Sequence, residues 1–445
     1  MRAVEIRDTR YARASDGAYI AYQTTGDGSV DLVWELDWFG NVDVIWEQAL
    51  FARIFTGLSR FSRLILHDRR ATGLSSRNVP VPNLETRVSD LRSVLDAAGS
   101  TRPVLTGLRD GGAAGALLAA TDPDQVRSLV WYAPAARSVW TPDYPWGARP
   151  DYVELDRRAL EHWGTAEYGR AFIEAEATSG HEISENWAAL SGLLSRHTAT
   201  PDVARELLRV WYETDVRQVL RSVRVPTLLL AYEEDADDVA EAQHIGTLMP
   251  DAEVTILPGS ESTADQVALV DAIREFIGVD RPVDLDSILS TILFTDIVGS
   301  TERQAVLGDR GWKELVERHH AIVRDALVRY RGVENDTAGD GFYATFDGPA
   351  RAIHCAREVG QRVRELGIEI RAGVHTGECE VIDGKIGGIA VSIGARIASN
   401  AGRSEVLISQ TVKDLVAGSG LTFEDAGEHE LKGVPDRWRL YRVVG

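Results

Sequence analysis

The chain has few cysteines and fewer basic than acidic residues. Its 445 residues include only two cysteines, Cys355 and Cys379, and neither stands in a Cys-x-x-Cys pair or a Cys/His cluster. This spacing argues against a disulfide framework and against a zinc site. The 48 basic residues are outnumbered by 68 acidic ones, for a formal net charge of −20. Because nucleic acid and anionic lipid are bound by basic surfaces, we expect neither as a partner, whereas a small anion neutralised by metal remains allowed.

Long apolar runs are missing as well. The longest, such as residues 227–232, have the length of a strand and fall far short of a membrane span. Residues 1–17 alternate charged and small side chains and lack the apolar core of a signal peptide. A hydrophobic content of 44% with 26% charged residues is typical of globular protein, and the length suffices for two or three domains. We therefore expect a cytoplasmic protein with no membrane partner.

One stretch in the last third of the chain combines a strand-like run with a single acid. Residues 291–295 are apolar or β-branched, Asp296 ends this run, and a turn of small residues follows at 299–301. Such a run predicts a buried strand, and small residues allow backbone N–H groups to approach a ligand closely. A carboxylate at the end of a buried strand is costly to bury without a partner, so we expect Asp296 to have one.

A second acid, Asp340, stands in a similar setting. It is the centre of a Gly-Asp-Gly turn between strand-like segments at 332–336 and 342–346. Two carboxylates at strand ends beside tight turns suit Mg²⁺, a hard cation that prefers oxygen ligands and shares its coordination with substrate phosphates. The alternative for each acid taken alone is a turn former or a helix N-cap.

Five motifs, taken in order, resemble the catalytic domain of the class III nucleotidyl cyclases. They are Phe-Thr-Asp-Ile-Val-Gly-Ser-Thr at 294–301, Ala-Gly-Asp-Gly-Phe at 338–342, Arg-Ala-Gly-Val-His-Thr-Gly-Glu at 371–378, Gly-Ile-Ala-Val-Ser-Ile-Gly-Ala-Arg at 388–396 and Glu-Leu-Lys-Gly-Val at 430–434. The resemblance implies an α+β domain with a ferredoxin-like core. Predicted helices, including one at 312–330, and strands in mixed order favour the same class, with the helices on one face of the sheet.

The same resemblance implies an active site shared between two copies of this domain, and hence a homodimer. Asp296 and Asp340 would hold two Mg²⁺ or Mn²⁺ ions, with the backbone carbonyl of Ile297 as a further ligand. Arg396 of the partner subunit would stabilise the charge that develops on the α-phosphate. The other candidates for contact with the substrate, a purine nucleoside triphosphate, are Phe294, Thr295, Gly299, Ser300 and Thr301.

Three matched positions differ from the family. Asp336 stands where the family usually has lysine, Lys385 where it usually has aspartate, and Ser392 where it has asparagine or histidine. Asp336 and Lys385 would contact the base, and their reversed polarity matches the donors and acceptors of guanine rather than those of adenine. The alternative is an Asp336–Lys385 ion pair across the dimer, with a base that is read loosely. Ser392 keeps a hydroxyl, so we expect slower turnover rather than none.

The first part of the chain follows a pattern of alternating strands and helices. Predicted strands lie at 18–24, 30–36, 61–67, 103–106 and 126–132, and predicted helices at 82–98 and 113–121. This alternation predicts a parallel sheet with both faces covered. From about residue 10 to residue 277 the order resembles the α/β-hydrolase fold, with a helical cap at 144–220 and the last two strands at 226–231 and 253–257.

The catalytic groups of a hydrolase are missing from this pattern. Arg109 stands at the centre of the turn where G-x-S-x-G requires a nucleophile, and a guanidinium cannot attack an acyl carbon. Ser262 stands where the histidine base is expected, and residues 35–38 do not resemble the His-Gly oxyanion segment. Asp235 could occupy the acid position, but an acid alone has no role in a triad. We expect a folded module with a sensory or scaffolding role, in which Arg109 contacts an anionic small molecule.

The predicted organisation is thus an α/β-hydrolase-fold domain at 1–278, a polar linker at 279–286 and a class III cyclase domain at 287–445. The leading hypothesis is an enzyme that converts ATP, GTP or both into the 3′,5′-cyclic monophosphate and pyrophosphate. One alternative is a pseudo-cyclase that pairs with another cyclase chain as a signalling module. The other, a serine hydrolase with an appended regulatory domain, is disfavoured by the missing nucleophile.

Overall fold

The computed structural model divides the chain into two compact units, residues 1–284 and 285–445, each with its own eight-stranded sheet. The described residues are 8–37, 40–176, 185–260, 266–278, 287–382 and 385–444. The predicted linker at 279–286, Ser262 and Trp38 lie outside them. In these ranges, no helix combines the length and the apolar character that crossing a bilayer would require.

The sheet of the first unit is mostly parallel. Its strands are β1 (Thr9–Arg13), β2 (Tyr19–Thr25), β3 (Asp31–Glu35), β4 (Arg63–His67), β5 (Val104–Leu108), β6 (Ser128–Tyr132), β7 (Thr227–Tyr232) and β8 (Ala252–Leu257). They lie in the order β1-β2-β4-β3-β5-β6-β7-β8, antiparallel as far as β4 and parallel from there on. Strands β5, β6 and β7 are buried along their whole length, as expected when both faces of a parallel sheet are covered.

Helices cover both faces of this sheet. They are α1 (Ala49–Leu58), α2 (Leu84–Ala98), α3 (Gly111–Thr121), α4 (Pro150–Ala159), α5 (Ala166–Glu176), α6 (Glu185–Thr198), α7 (Pro201–Glu213), α8 (Arg217–Leu220), α9 (Ala236–Leu248) and α10 (Val267–Gly278). Helices α1 and α10 share a core with Leu32 and Trp34. Helix α3 packs on the opposite face, where a Cβ on Gly115 would lie 3.1 Å from Leu129. Helices α4, α5 and α7, in the region predicted as a cap, have a core of their own around Tyr168.

The sheet of the second unit is mixed. Its strands are β9 (Ser287–Ile297), β10 (Val333–Ala338), β11 (Gly341–Phe346), β12 (Ile370–Ile382), β13 (Lys385–Gly387), β14 (Val406–Ser409), β15 (Thr422–Glu430) and β16 (Arg437–Val444). The order is β10-β11-β9-β12-β14-β16-β15, and the short β13 pairs with the end of β12. Strands β12 and β14 are parallel to each other, and the other described pairs are antiparallel.

The prediction that helices cover one face of this second sheet is wrong. The helices are α11 (Ser300–Arg329), α12 (Pro349–Arg362), α13 (Ile389–Asn400) and α14 (Gln410–Leu415). Helices α11 and α12 share a core with Leu293 and Ile297, whereas α13 packs on the other face, with Gly394 against Ile292 and Phe294. The reason lies in β9, which carries apolar side chains on both of its alternating faces and so needs cover on both sides.

Candidate active site

The two candidate metal ligands come together at the end of a β-hairpin. Asp296 is the second-last residue of β9, and Asp340 occupies the turn that joins β10 to β11. Since β11 pairs antiparallel with β9, this turn lies beside the end of β9. There the backbone N–H of Ile297 donates to Oδ2 of Asp340 at 3.2 Å. Gly339 has a φ of +63°, a conformation that glycine adopts without strain, and this makes the turn tight.

The electrostatics of this pair indicate a missing positive charge. Partial burial and the charge of Asp296 raise the pKa of Asp340, although hydrogen bonds from the Ile297 N–H and the Ser300 hydroxyl act in the opposite direction. Two neighbouring carboxylates resist ionising together unless a cation lies nearby. Carboxylate oxygens and a backbone carbonyl are the donors that hard divalent cations prefer. The residues present therefore fit Mg²⁺ or Mn²⁺.

Such an ion would take only part of its coordination from the protein. Across the described ranges, no group of three or more acidic, histidine or cysteine side chains is placed to hold a metal ion. Mg²⁺ commonly binds through one or two carboxylates and completes its shell with water and substrate phosphates. Asp296 and Asp340 match that usage, so the arrangement suits a metal that arrives with a phosphorylated substrate.

One cation beside these acids, Arg371, was not assigned from the sequence. It stands on β12 directly opposite Asp296, and its Nε and Nη2 donate to Oδ2 of Asp296 at 3.0 and 2.5 Å. The two side chains are 36% and 35% exposed, so the ion pair is open to solvent. Arg371 opens the motif at 371–378, but the sequence does not show that β12 and β9 align Arg371 with Asp296 on one face of the sheet.

The turn of small residues leads into α11 and contributes one contact to the acids. Gly299, with a φ of +70°, directly precedes the helix, and Ser300 and Thr301 open its first turn. The Ser300 side chain acts on Asp340 by lowering the pKa of its carboxyl group. The sequence predicts that this turn contacts the substrate, and the free N–H groups of a helix N-terminus are able to bind phosphate oxygens.

Thr295 and Phe294 lie on opposite faces of β9. Thr295 is buried, and its Oγ1 has no hydrogen-bond partner within the described part of the chain. Because side chains alternate along a strand, the Thr295 side chain lies on the opposite face of β9 from Asp296. The structure therefore does not bring the Thr295 side chain to the carboxylates. Phe294 shares the face of Asp296 and stacks on Tyr343, with ring centroids 4.9 Å apart and an interplanar angle of 7°.

The two candidate base-contacting residues lie on two hairpins of one chain, which β9 separates in the sheet. Asp336 is exposed on β10, directly opposite Tyr343, and its Oδ1 accepts a hydrogen bond from the N–H of Thr337 at 2.9 Å. Lys385 begins β13 and pairs through its backbone with Ile382. The Lys385 side chain lies outside what the structure describes, so its contact with the base stays a prediction, and its ion pair with Asp336 across the dimer stays the alternative.

The two candidates on α13 are separate from the acids of their own chain. Ser392 and Arg396 are both exposed, and their spacing of four residues places them on one face of the helix. Nε of Arg396 donates to the backbone carbonyl of Lys432 at 3.0 Å. Among the residues described, neither makes a hydrogen bond or ion pair with Asp296 or Asp340. Within one chain, Arg396 is thus bonded to Lys432 rather than to either carboxylate.

In the first unit, the turn that corresponds to the G-x-S-x-G nucleophile elbow of hydrolases has a strained backbone but carries Arg109 in place of a nucleophile. Arg109 follows β5 and has a φ of +48°, in the left-handed region that side chains disfavour. Its backbone carbonyl accepts a hydrogen bond from Nε1 of Trp131 at 2.5 Å, and its Nη1 lies 3.5 Å from Oδ1 of Asp238 on α9. Asp235 directly precedes α9. The turn thus presents a cation where a hydrolase has its serine.

Four charges form a buried network near this turn. Arg69 lies 3.1 Å from Glu35 and 2.6 Å from Asp110, and Arg87 lies 2.8 and 2.9 Å from the same two acids. Each side chain is only 4–5% exposed. Although burial acts in the opposite direction, the two guanidinium groups lower the pKa of Asp110. The two positive and two negative charges compensate one another inside the protein, and the predicted anion contact of Arg109 stays a prediction.

Comparison with known proteins assigns the second unit. The family described as the adenylate and guanylate cyclase catalytic domain matches residues 286–445. These residues are a cyclase catalytic domain. Receptor-type adenylate cyclase GRESAG 4.3 of Trypanosoma brucei brucei is 24% identical to this chain. The match covers 34% of this chain and 16% of that protein. The chain spans about half the length, or less, of the curated relatives that it matches in this way.

The unit that precedes the cyclase domain resembles α/β hydrolases. The putative carbamate hydrolase RutD of Caulobacter sp. (strain K31) is 29% identical over 45% of this chain and 74% of that protein. The structure of an esterase from Exiguobacterium antarcticum covers 61% of this chain and 100% of its own, with 17% identity and a TM-score of 0.52. At that identity the likeness shows the fold alone. The chain therefore joins an α/β-hydrolase fold to a cyclase domain.

Proposed function

We propose that the cyclase domain converts a purine nucleoside triphosphate, ATP or GTP, into its 3′,5′-cyclic monophosphate and pyrophosphate. The observation that supports this most directly is the pair of acids at the end of β9, where partial burial and mutual repulsion raise the pKa of Asp340. Paired carboxylates that lack sufficient counter-charge are suited to divalent ions that act on phosphates. A domain with a purely structural role would not need Asp296 and Asp340 so close together.

In this proposal, the chain holds and neutralises the triphosphate while the ribose 3′-oxygen attacks the α-phosphorus and pyrophosphate leaves. Bound Mg²⁺ or Mn²⁺ would lower the pKa of the 3′-hydroxyl and offset the charge of the phosphates. Asp296, Asp340 and the carbonyl of Ile297 would hold the ions, and the Ser300 hydroxyl helps to orient Asp340. Arg371, beside Asp296, has a guanidinium that can bind two phosphate oxygens at once.

We further propose that each active site forms between two copies of the chain. Charge that develops on the α-phosphate calls for a cation, and Arg396 is separate from the acids of its own chain. Arg396 of the partner subunit would supply that charge, with Ser392 of the partner subunit one helical turn away. Exposed apolar side chains such as Val306 (85% exposed) and Ile389 (55% exposed) provide surface that association would bury. Ile389 is the first residue of α13, the helix that carries Arg396.

A pseudo-cyclase that binds another cyclase chain is the second candidate. It is favoured by Asp336, Lys385 and Ser392, which differ from the residues that the family usually has at these positions. The retained Asp296, Asp340 and Arg396 oppose it, because a binding module needs no metal ligands. A serine hydrolase remains disfavoured, since Arg109 cannot act as a nucleophile.

The purified chain with Mn²⁺ and ATP or GTP tests the proposal. We expect the cyclic monophosphate and pyrophosphate in equal amounts, with a specific activity that rises with protein concentration as dimers form. A mixture of Asp296→Ala and Arg396→Ala chains should recover part of the activity that each lacks alone, because a mixed dimer has one complete site. If neither nucleotide gives cyclic product at any protein concentration, the pseudo-cyclase is the better description.

A further inference from the structure

A tyrosine links the hairpin that carries Asp340 to the hairpin that carries Lys385. The hydroxyl of Tyr343, on β11, donates to the backbone carbonyl of Ile386 on β13 at 3.1 Å. Strand β13 is only three residues long, and it is held in the sheet by its pairing with the end of β12. The bond from Tyr343 therefore fixes a short, terminal element at the residue next to Lys385.

The ring of Tyr343 is itself held in place. It stacks on Phe294, its direct partner across the β9–β11 ladder, with centroids 4.9 Å apart and planes inclined by 7°. A stacked cross-strand pair restricts the side-chain rotamers of both rings. Burial also raises the pKa of Tyr343, so its hydroxyl stays protonated and able to donate at neutral pH. A fixed ring with a permanent donor can define the position of the strand it contacts.

The other candidate base-contacting residue lies directly across from this tyrosine. Asp336 on β10 is the register partner of Tyr343 on β11. Directly opposed residues on neighbouring strands share one face of the sheet. Tyr343 thus stands between Asp336, its neighbour in the ladder, and Lys385, the residue that precedes its hydrogen-bond acceptor.

We infer that Tyr343 is a positioning residue for recognition of the purine base: its hydroxyl sets the distance between Asp336 and the β12–β13 hairpin that bears Lys385. This inference rests on the proposed function, in which those two residues contact the base. A donor and an acceptor must stand at a defined spacing to match the edge of a purine. Loss of the tether would loosen this spacing and reduce discrimination between adenine and guanine, while the carboxylates on β9 and in the β10–β11 turn keep their places.

The test compares Tyr343→Phe, which keeps the stacked ring and removes the donor, with Tyr441→Phe. Tyr441 lies in the same domain, and its hydroxyl donates to Gln410, so the control removes the same group from a different contact. In Tyr343→Phe we expect faster amide hydrogen exchange in the β12–β13 hairpin. We also expect the ratio of kcat/KM for ATP and GTP to move towards one by about three- to tenfold, the effect of one hydrogen bond. The affinity for Mn²⁺, measured by electron paramagnetic resonance, should stay within about twofold of wild type.

Each outcome decides the inference. If Tyr343→Phe changes neither hairpin exchange nor the nucleotide ratio beyond the Tyr441→Phe control, the tether has no positioning role. Faster exchange with an unchanged ratio shows a purely structural bond and also overturns the inference. If wild type binds nucleotide but forms no cyclic product, the proposed function fails, and the ratio of dissociation constants for fluorescent ATP and GTP replaces the kinetic ratio. Wild type that binds neither nucleotide refutes both proposals.

Discussion

The hydrolase-fold unit and the cyclase domain differ in how their acidic side chains are paired with cations and in how far those pairs are buried. In the first unit, Arg69 and Arg87 are paired with two acids, and every member of the network is 4–5% exposed. In the cyclase domain, Asp296 forms a partly exposed ion pair with Arg371, and the charge of Asp296 raises the pKa of the neighbouring Asp340. Buried charges that compensate one another leave no net charge to attract a charged ligand. An acid pair with too little positive charge, open to solvent, is a site that a cation can complete.

The comparison also separates backbone shape from chemistry. Both sites depend on a residue in the left-handed region at a turn, Arg109 with a φ of +48° and Gly339 with a φ of +63°. In the cyclase domain the turn holds Asp340 beside Asp296. In the first unit the turn survives with a side chain that cannot perform acyl transfer. The fold of each unit therefore says little about its activity, whereas the side chains at the turn indicate which chemistry is possible.

Removal of an acid from the cyclase site should have the largest effect. Asp296→Ala or Asp340→Ala should lower kcat by at least about a hundredfold, because in the proposed mechanism each variant loses a metal ligand and a charge that binds the ion. Mn²⁺ affinity, followed by electron paramagnetic resonance, should fall in parallel while circular dichroism stays unchanged. Asp347→Ala, which removes an exposed acid paired with Arg351, is the matched control. Wild-type turnover with unchanged metal dependence in both acid variants would show that the metal site is assigned wrongly.

A cation removed from the balanced network should affect stability rather than chemistry. Arg87→Ala leaves Glu35 and Asp110 without half of their counter-charge in a buried setting, and we expect a loss of about 3–5 kcal/mol in the free energy of unfolding. Arg92→Ala removes an arginine from the same helix whose ion pair with Asp122 is partly exposed, and should cost at most about 1 kcal/mol. Urea unfolding, followed by the fluorescence of the buried Trp34 and Trp131, measures both. Equal losses in the two variants would contradict the contrast between buried and surface pairs.

The features that could be predicted from the sequence have local signals. A strand-like run that ends in Asp296 and a Gly-Asp-Gly turn around Asp340 each occupy a few residues, and hairpin geometry then places the two acids together. The elbow at Arg109 was visible for the same reason. The motifs at 294–301 and 338–342 supplied the resemblance that the family match at 286–445 then confirmed.

The features that could not be predicted depend on register and tertiary packing. The Arg371–Asp296 pair exists because β12 and β9 align at that step, and residues 75 positions apart carry no local signal of it. The buried network likewise joins side chains from four separate segments. The position of α13 on the second face of the sheet was missed, although the apolar residues on both faces of β9 indicate it. Gly308, with a non-helical φ of 67° and ψ of 168°, divides α11 into two helical segments, and the helix predicted at 312–330 lies within the second of them.

Exchanging the charges at Asp336 and Lys385, the candidate base-contacting residues, should have an intermediate effect, on nucleotide preference rather than on metal binding. We expect wild type to discriminate against GTP less than an ordinary adenylate cyclase, or to prefer it, because Asp336 and Lys385 match the donors and acceptors of guanine. Asp336→Lys with Lys385→Asp should shift the ATP:GTP ratio of kcat/KM towards ATP by about 1–3 kcal/mol, the cost of a mispaired polar contact.

The control for this reversal is the same exchange at exposed positions, Asp347→Lys with Lys313→Asp, which keeps the net charge and should leave the ratio unchanged. Side-by-side kcat/KM for both nucleotides on the three proteins measures the effect. A strong preference for ATP in wild type that the double change at Asp336 and Lys385 does not alter would eliminate the guanine hypothesis. It would favour an ion pair between the two residues with a base that is read loosely.

The smallest expected effect is the absence of esterase activity in the first unit. Arg109 holds the nucleophile position, its guanidinium lies 3.5 Å from Asp238, and the predicted base position carries Ser262. Arg109→Ser would return a hydroxyl to a turn that already has the backbone shape of an elbow, but a serine without a histidine base is a poor nucleophile. Wild type and this variant should therefore both stay at background with short-chain esters. Turnover that survives Arg109→Ala and is blocked by a serine-directed inhibitor would place a nucleophile elsewhere in the first unit, and the side chain at the Arg109 turn would then say nothing about the activity of that unit.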